Sequence, residues 1–532
     1  MQNLISYLIV TPFLAACVAL FIPAIKKNTF RVLALIASVF QVLILIFIIL
    51  HYQHNAGIQL AERLQWITLE LGTWGTLKAE YFVALDGLSF PMVALSVGIM
   101  TIAVISSWTI EKNQKGYFIL LLILNGAILG SFCALDFLLF YVFFEFMLLP
   151  MYFLIGIWGG PQREYASIKF FLYTLLGSIF ILIVIIGLYI SVQDPTSTDR
   201  VVHTFNVLHM QNPENIIPGS ALSASSTDEP GPYSFRLLAF LLLFIGFAIK
   251  LPAVPLHTWL PDAHVEAPTP ISVVLAALLL KFGGYGLLRF AYPIFPDGAI
   301  YFSWLVGFVG VVSIIYGALN ALSSKDLKRL IAYSSVSHMG FVLLGIASGT
   351  VEGITGAVYQ MFSHGMIAAM LFLIAGVLYD RTNDRLIENY SGLASKMKVY
   401  TAFVLVAFFA GLGLPGFAGF IGEVMIFFGA FLSQQSNGLV PIWMAITATF
   451  GLVLGAGYFL WTIQRMFYGP YSVKVPVAKL NDIDRREYMM LLPLALAILF
   501  FGIFPQTLLN YINPFAKEFV EAFFKSAAFI NP

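Results

Sequence analysis

The chain has 532 residues, of which 60% are hydrophobic and only 10% are charged. A soluble domain carries about 25% charged residues, so this composition excludes an ordinary soluble protein and indicates a polytopic membrane protein. The net charge of +1 gives no indication of nucleic-acid binding. Cys17 and Cys133 stand alone in apolar stretches and supply neither a disulfide framework nor a metal-binding spacing.

Apolar stretches follow one another along the whole chain. A membrane-spanning helix needs about 20 apolar residues, and about fourteen stretches meet this requirement, so we predict an all-α fold in a lipid bilayer. The first stretch has neither a basic segment before it nor an obvious cleavage site, so we predict that it is retained as a span. The predicted spans are 3–24, 30–50, 84–109, 117–134, 136–157, 168–192, 235–259, 265–290, 301–322, 330–348, 352–378, 399–432, 439–464 and 488–511.

Lysine and arginine are concentrated in the loops on one side of this arrangement. If the N-terminus lies outside, 19 of the 28 basic residues fall in inside loops and 7 in outside segments, with Lys250 and Lys281 in mid-span. Because inside loops are enriched in Lys and Arg, we predict that both termini lie outside. The long segment 193–234 is then an external loop, which we expect to be ordered or semi-ordered. It contains Asp194, Asp199, Glu214, Asp228 and Glu229.

Three ionisable residues lie in the middle of predicted spans. Glu145 stands in FLLFYVFFEFMLLPMYFLIGIW, Lys250 in LLAFLLLFIGFAIKLPAVP, and Lys281 in ISVVLAALLLKFGGYGLLRF. Each charge at a helix centre costs roughly 2.5–3.5 kcal/mol on insertion scales, so such residues usually face the bundle interior and mark an ion path. Glu145 and Lys250 could form a static structural pair. The second lysine in the next span favours a proton relay, because burial disfavours the charged form of a lysine.

Three further titratable residues fall in later spans. Glu423 is the only acid of the twelfth span, in GLGLPGFAGFIGEVMIFFGAFL, and His338 and His364 lie in the tenth and eleventh spans. Histidine titrates near neutral pH and can shuttle protons, although a single helical histidine can equally be a packing residue. We predict all three as candidate proton-transfer residues.

Two spans contain residues that break helices. Pro252 and Pro255 interrupt the seventh span, and Pro415 lies among glycines in the twelfth. Proline removes a backbone donor and clashes with the preceding turn. A pair of interrupted helices in two halves of a chain is typical of transporters built on inverted repeats. We therefore predict inverted repeats at spans 4–8 and 9–13. The predicted divisions are 1–110 (spans 1–3), 111–290 (first repeat, with loop 193–234), 291–470 (second repeat) and 471–532 (span 14 and tail).

The turn HTWLPDAHVEAPTP, on the predicted inside, contains His257, Asp262, His264 and Glu266. We interpret it as a mouth that collects protons, since its spacing fits a metal site poorly. The sequence shows no Walker A motif, no dinucleotide glycine fingerprint and no paired-cysteine cluster motif. We therefore expect no cofactor and no metal in this chain, so that any redox energy comes from a partner.

Three runs resemble a known family. KLPAVPLHTWLPDAHVEAPTPISVVLAALLLKFGGYGLLR, SSKDLKRLIAYSSVSHMGF and GLPGFAGFIGE are similar to the antiporter-like membrane subunits of proton-pumping NADH:quinone oxidoreductase, respiratory complex I. The resemblance covers nearly all of spans 4–13 and implies fourteen transmembrane helices, with broken helices 7 and 12. The chain most resembles the chain-M type (subunit 4), because Glu423 stands where the sibling subunits carry lysine. Because about twenty residues follow span fourteen, we expect no long lateral helix of the chain-L type. The external insert 193–234 is longer than usual for the family.

The resemblance also implies roles for individual residues. Glu145 matches the helix-five glutamate that pairs with the helix-seven lysine, here Lys250. Lys281 matches the central lysine of helix eight, His338 and His364 match further members of the central polar axis, and Glu423 matches the helix-twelve exit residue.

In the mechanism that the family implies, electron transfer from NADH to quinone occurs in partner subunits that hold FMN, iron–sulfur clusters and quinone. Sibling antiporter-like subunits are expected on both sides of this chain in a bacterial inner membrane, or less plausibly an organellar one. Protons enter from the inside, pause on the Lys281 and histidine axis, and leave near Glu423. The alternatives are a subunit of an Mrp-type cation/proton antiporter, a membrane subunit of a hydrogenase or formate-linked complex, and an inert membrane-arm spacer.

Overall fold

The computed structural model describes residues 3–54, 57–70, 76–196, 202–223, 235–475 and 480–530. Within these residues, twelve helices are long and apolar enough to cross a membrane. Two further spans are each built from two shorter helices separated by a break, and the predicted fourteen-span fold is thereby confirmed. The helices are α1 Leu4–Phe21, α2 Lys27–His51, α3 Ser89–Ser106, α4 Gln114–Cys133, α5 Phe137–Trp158, α6 Arg163–Ser191, α7 Phe235–Lys250, α8 Trp259–Glu266, α9 Thr269–Ile294, α10 Ser303–Ser323, α11 Leu327–Ala347, α12 Val351–Thr382, α13 Lys398–Gly411, α14 Ala418–Ser436, α15 Ile442–Phe467, α16 Arg485–Ile503 and α17 Gln506–Ile530.

The described residues also contain five strands and several short helical turns, such as Val207–Met210 and Pro296–Tyr301. Strands β1 Gln59–Glu70 and β2 Thr76–Leu85 form an antiparallel hairpin, and β3 Val202–Thr204 pairs in parallel with β2. Strands β4 Tyr390–Ser391 and β5 Ser472–Val473 pair on the opposite side of the bundle. We call the side that carries β1 and β2 the hairpin face, and the side with most of the basic loops the basic face.

Both predicted breaks are present. Helix α7 ends at Lys250 and the chain becomes helical again at Trp259, with Pro252 and Pro255 in the gap. The second break, between α13 and α14, contains Pro415. A broken helix leaves backbone carbonyls without helical donors, and these need other partners in a membrane. The Trp259 indole N–H donates to Ile249 O at 2.9 Å, which satisfies one such carbonyl across the first break.

The two predicted repeats share a local signature at their second helices. Asp136 caps the start of α5 by accepting from Leu139 N at 3.0 Å, and Asp326 caps α11 by accepting from Arg329 N at 3.1 Å. Asp136 lies on the hairpin face and Asp326 on the basic face, as expected for repeats of opposite orientation. Each capping residue also forms an isolated bridge to a later loop, Asp136 with Asn206 and Asp326 with Leu386.

The central helix α9 is irregular on both sides of Lys281. It contains π-helical turns at Leu275–Leu279 and Leu287–Ala291. A π turn widens the helix and changes which carbonyls remain free, and such turns are frequent at functional sites. The whole membrane-spanning window of α9 is buried inside the bundle.

The hairpin face also contains α17, which hydropathy did not reveal. The predicted fourteenth span, 488–511, is in fact two helices, since α16 ends at Ile503 and α17 begins at Gln506. The buried side of α17 contains Leu508, Ile512, Ala516 and Phe523, and Phe523 lies against Tyr292 at the end of α9. Because α17 is amphipathic, it is not recognised by a search for uniformly apolar segments.

Part of the external loop 193–234 is ordered, through β3 and through an ion pair between Asp194 and Lys78 at 3.0 Å. Burial lowers the Lys78 pKa, but its contacts with Asp194 and Glu80 outweigh this effect and the pKa is raised overall. Asp199, Asp228 and Glu229 of the same loop lie outside the described residues.

Candidate functional site

Lys281 lies at the centre of the bundle with 0% of its surface exposed. Its ammonium donates to Ala276 O at 2.7 Å, a carbonyl inside the first π turn of α9. It also contacts His364 Nδ1 at 2.8 Å, so that the neutral histidine accepts a hydrogen bond from the lysine. Gly365 lets α12 approach this turn, because a Cβ there would lie 3.0 Å from Ala277 O.

His338 continues the line of titratable groups. Its ring centroid lies 5.3 Å from that of His364. Its Nδ1 is 2.7 Å from Ser334 O and its Nε2 is 3.0 Å from Gly411 O, the carbonyl released where α13 ends. A neutral imidazole can donate to only one of these carbonyls, and a second proton would satisfy both. His338 therefore has acceptors in place for an added proton.

Glu423 lies at the end of this line, in the first turns of α14. It is 3% exposed, and its Oε1 is 3.5 Å from His338 Nε2. Gly413, in the break with φ +75°, lies directly beside the carboxylate, because a Cβ at Gly413 would collide with Oε2. The structure thus brings Lys281, His364, His338 and Glu423 into one buried series, which we call the central chain.

Glu145 and Lys250 lie apart from each other. Both belong to the described residues, and their charged atoms do not form an ion pair within 4.0 Å. The Lys250 ammonium lies 4.8 Å from the ring centroid of Phe144 and 5.9 Å from that of Phe170. Glu145 is partly buried, and its Oε1 has no hydrogen-bond partner. The predicted pair is therefore open in this structure. Since Lys250 is the last residue of α7, the helix dipole favours its positive charge.

The break after Lys250 lies close to the central chain. A Cβ at Gly283, two residues beyond Lys281, would be 2.6 Å from both Leu251 N and Phe247 O. The backbones of α7 and α9 therefore meet at this glycine. A rearrangement of the Lys250 end of α7 would act directly on the helix that carries Lys281.

In the turn that we interpret as a proton-collecting mouth, both acidic residues already have partners. Asp262 pairs with Lys169 at 2.7 Å and with Arg329 at 3.1 Å, and Glu266 accepts a hydrogen bond from Gln162 N at 2.9 Å. The described residues contain no group of three or more metal-ligand side chains.

Two histidines of this turn have unpartnered nitrogens. His257 Nδ1 has no hydrogen-bond partner. His264 is 0% exposed, stacks on Phe372 at 4.3 Å, and has no partner at either ring nitrogen. Lys328 and Lys281 are the charged neighbours of His264.

Lys328 is a candidate that the sequence did not single out. It precedes the predicted tenth span, 330–348, but it lies in the first turn of α11, where it is 3% exposed and donates to Ala267 O at 3.0 Å. It lines a cavity of about 180 Å³ on the basic face, together with Glu266, Asp380 and Arg385. The sequence contains one signal for this placement, because Asp326 is a typical N-cap residue. A helix that begins after it, at Leu327, includes Lys328.

A bundle of fourteen spans with two broken helices and a buried lysine–histidine–glutamate series defines an antiporter-like membrane protein. Residues 134–451 match the family model described as NADH:quinone oxidoreductase/Mrp antiporter, TM. The chain belongs to this family.

Among its relatives, the NADH-quinone oxidoreductase subunit M of Rhodobacter capsulatus is 39% identical over 528 residues, which is 98% of this chain and 97% of the relative. A chain of respiratory complex I from Thermus thermophilus has a TM-score of 0.80 at 29% identity and covers 98% of this chain and 99% of its own. A chain of the Mrp complex from Dietzia sp. DQ12-45-1b also has a TM-score of 0.80, over 100% of this chain and 99% of its own. Its identity of 20% shows a shared fold alone.

Proposed function

We propose that this chain is the chain-M-type, proton-translocating membrane subunit of an NADH:quinone oxidoreductase. The observation that carries the proposal is the central chain, in which Lys281 contacts His364 at 2.8 Å and His338 lies 3.5 Å from Glu423. Such a series can pass a proton between groups that are each costly to charge in a membrane. The similarity to subunit M over nearly the whole chain supports the coupling to NADH and quinone.

The proposed uptake route begins at the basic-face cavity beside Lys328. His264 has Lys328 and Lys281 as charged neighbours, and both of its ring nitrogens lack a hydrogen-bond partner. A proton would reach Lys281 through His264, and would move along His364 and His338 to Glu423. Release occurs on the hairpin face, because α14 runs from Glu423 towards the loop after Ser436 on that face.

Glu145 and Lys250 are proposed to couple this route to the rest of the complex. In the open arrangement seen here, the Lys250 charge lies over Phe144 and Phe170 and Glu145 lacks a partner at Oε1. Closing the pair would draw the positive charge towards Glu145. Because Coulomb interactions are strong where the effective dielectric constant is low, this displacement would alter the proton affinity of Lys281.

The remaining assignments concern partners and location. We propose that NADH, FMN, iron–sulfur clusters and quinone bind in partner subunits, with no redox centre in this chain. Sibling antiporter-like subunits would lie on both sides of it. We further propose a bacterial inner membrane, with the basic face inside and both termini outside, because inside loops are enriched in Lys and Arg. The four divisions of the chain at 110, 290 and 470 likewise stay a prediction.

The test uses inverted membrane vesicles that carry the whole complex with Glu145→Ala. NADH:quinone turnover and acidification of the vesicle lumen are recorded together, and assembly is checked on native gels. We expect both activities to collapse in an assembled complex. The matched control is Glu111→Ala, since Glu111 is an exposed carboxylate outside the spans and should be neutral. Intact turnover and intact pumping in Glu145→Ala would instead indicate a separate antiporter or an inert spacer.

A further inference from the structure

The hairpin face contains a cavity of about 210 Å³ that reaches towards the centre of the bundle. We call it the outer cavity. Its walls include Tyr511 and Phe515 of α17 and Tyr52 after α2, and its floor includes Asp86 and Arg289. The Tyr52 hydroxyl is buried without a hydrogen-bond partner, so the cavity has an unsatisfied polar wall that can hold water.

The floor of the outer cavity is a buried ion pair. Arg289 Nη2 donates to Asp86 Oδ1 at 2.7 Å, and the two residues are 5% and 7% exposed. Asp86 also accepts from the backbone N–H groups of Leu88 and Ser89 at 3.1 and 2.9 Å. Burial raises the Asp86 pKa, but Arg289 and Ser89 outweigh it and hold the pKa below its usual value. Arg289 itself lies in the second π turn of α9.

Aromatic side chains fill the space beneath this ion pair. Arg289 Nε is 3.3 Å from the Tyr285 hydroxyl, which donates to Phe132 O at 3.0 Å. The rings of Phe132 and Phe282 stack with centroids 4.0 Å apart. Tyr285 and Phe282 are 0% and 1% exposed. This aromatic layer separates Arg289 from Lys281.

Lys281 and Tyr285 lie four residues apart in the α-helical part of α9 and share a face of the helix, and the Tyr285 hydroxyl accepts a hydrogen bond from Arg289 in the π turn that follows. The axial rise from Lys281 to Arg289 is about 12 Å in an α-helix. The Lys281 ammonium nevertheless points the other way, because its partners are Ala276 O and His364. The short route from Lys281 to the hairpin face is thus closed by an aromatic layer and a fixed guanidinium charge.

We propose that Asp86, Arg289, Tyr285, Phe282 and Phe132 form an outer plug, which prevents protons from passing between Lys281 and the outer cavity and so directs them to Glu423. The inference rests on the proposed function. Asp86 holds the Arg289 guanidinium across this route, and an arginine fixed in a narrow pore helps to exclude protons and other cations. Without the plug, a proton held at Lys281 would have two exits, and protons could flow back from the hairpin face without passing Glu423.

The experiment measures passive proton flux into liposomes that contain the whole complex carrying Asp86→Asn, in the absence of NADH and under an imposed membrane potential. We expect a severalfold faster flux than in the wild-type complex, because without the Asp86 carboxylate the Arg289 guanidinium is no longer held in place across the route. With NADH present, turnover should persist while the lumen acidifies less. The matched control is Asp297→Asn, which removes the half-buried acid of another hairpin-face pair, Arg236–Asp297 at 2.8 Å, whose residues do not line the outer cavity.

Equal passive flux in Asp86→Asn and wild type would overturn the plug, and so would an equally fast flux in Asp297→Asn. If Asp86→Asn does not assemble, Phe282→Ala opens the aromatic layer and leaves the ion pair in place. A leak in that variant supports the plug, and a tight complex overturns it. Failure of the proposed function looks different, since wild-type complex would then turn over NADH without acidifying the lumen.

Discussion

At the residue scale, the central chain is unusual because its members are partnered by released carbonyls as well as by one another. Lys281 bonds to Ala276 O of a π turn, and His338 contacts Gly411 O at a helix end. A backbone carbonyl stabilises a proton on the neighbouring side chain but cannot take it. Lys281 can therefore hold a proton without a carboxylate beside it, and His338 can do so with the help of Glu423, 3.5 Å away.

Two substitutions at Lys281 distinguish a relay from a static charge. Lys281→Ala removes both charge and proton, whereas Lys281→Arg keeps a charge that arginine does not release. We expect both variants to lose lumen acidification in NADH-energised vesicles, with the complex assembled. Lys112→Arg is the control, because Lys112 is exposed on the basic face and should pump normally. Full pumping in Lys281→Arg would show that only the charge of Lys281 is needed.

The identities of the candidate residues could be predicted from the sequence, but most of their contacts could not. Glu145, Lys250, Lys281 and Glu423 stand out because charges are rare in apolar runs. The open arrangement of Glu145 and Lys250 depends on side-chain positions that a linear pattern does not contain. The same is true of Arg289, whose partner Asp86 is 203 residues away along the chain. Their roles in proton transfer stay a prediction.

At the scale of elements, the two helix breaks occupy equivalent positions in the two repeats. They differ in the side chain that donates to the released carbonyl. The first break satisfies Ile249 O with the Trp259 indole, an uncharged donor without a titratable proton. The second satisfies Gly411 O with His338, a titratable one. The first break therefore presents a charge, Lys250, at a helix end. The second connects a helix end to the proposed proton path.

Two glycines of the second break allow a matched comparison. Gly413 and Gly416 have φ of +75° and +97°, and alanine in such a conformation is strained by about 1–2 kcal/mol. A Cβ at Gly413 would collide with the Glu423 carboxylate, whereas a Cβ at Gly416 would meet nothing within 4 Å. We expect both alanine variants to lower the thermal stability of the complex by similar amounts. Only Gly413→Ala should reduce the ratio of protons pumped to NADH oxidised.

Equal ratios in Gly413→Ala and Gly416→Ala would show that the position of Glu423 does not limit pumping. Gly457→Ala provides a baseline, because a Cβ at Gly457 meets nothing within 4 Å and its backbone is helical. A reduced ratio there would indicate a general effect of substitution in this half of the protein.

The sequence identified the broken helices but missed β1, β2 and α17, for a physical reason. Proline and clustered glycine disrupt a helix wherever they occur, so Pro252, Pro255 and Pro415 are local signals. The hairpin strands and α17 each have one apolar side, at spacings that a search for about 20 continuous apolar residues does not detect. Their positions are set by packing on the hairpin face, for example Phe523 against Tyr292.

At the scale of the whole molecule, the basic-face cavity and the outer cavity lie on opposite sides of Lys281. Different residues separate each cavity from the Lys281 ammonium. The basic-face cavity is lined by Lys328, which neighbours His264, a residue with two free nitrogens. Beneath the outer cavity lie the Asp86–Arg289 pair and an aromatic layer. This asymmetry favours uptake from the basic face. The direction of transport then depends on which compartment the basic face meets.

Cysteine labelling tests that orientation directly. Glu70 at the end of β1 is exposed on the hairpin face, and Glu111 is exposed on the basic face. Each is replaced by cysteine in a Cys17→Ser background, while Cys133 is buried and can remain. With a membrane-impermeant maleimide, we expect Glu70→Cys to react in spheroplasts and Glu111→Cys only in inverted vesicles, because basic loops stay inside. The opposite pattern would place the basic-face cavity outside and would reverse the proposed direction of proton transfer through Lys281.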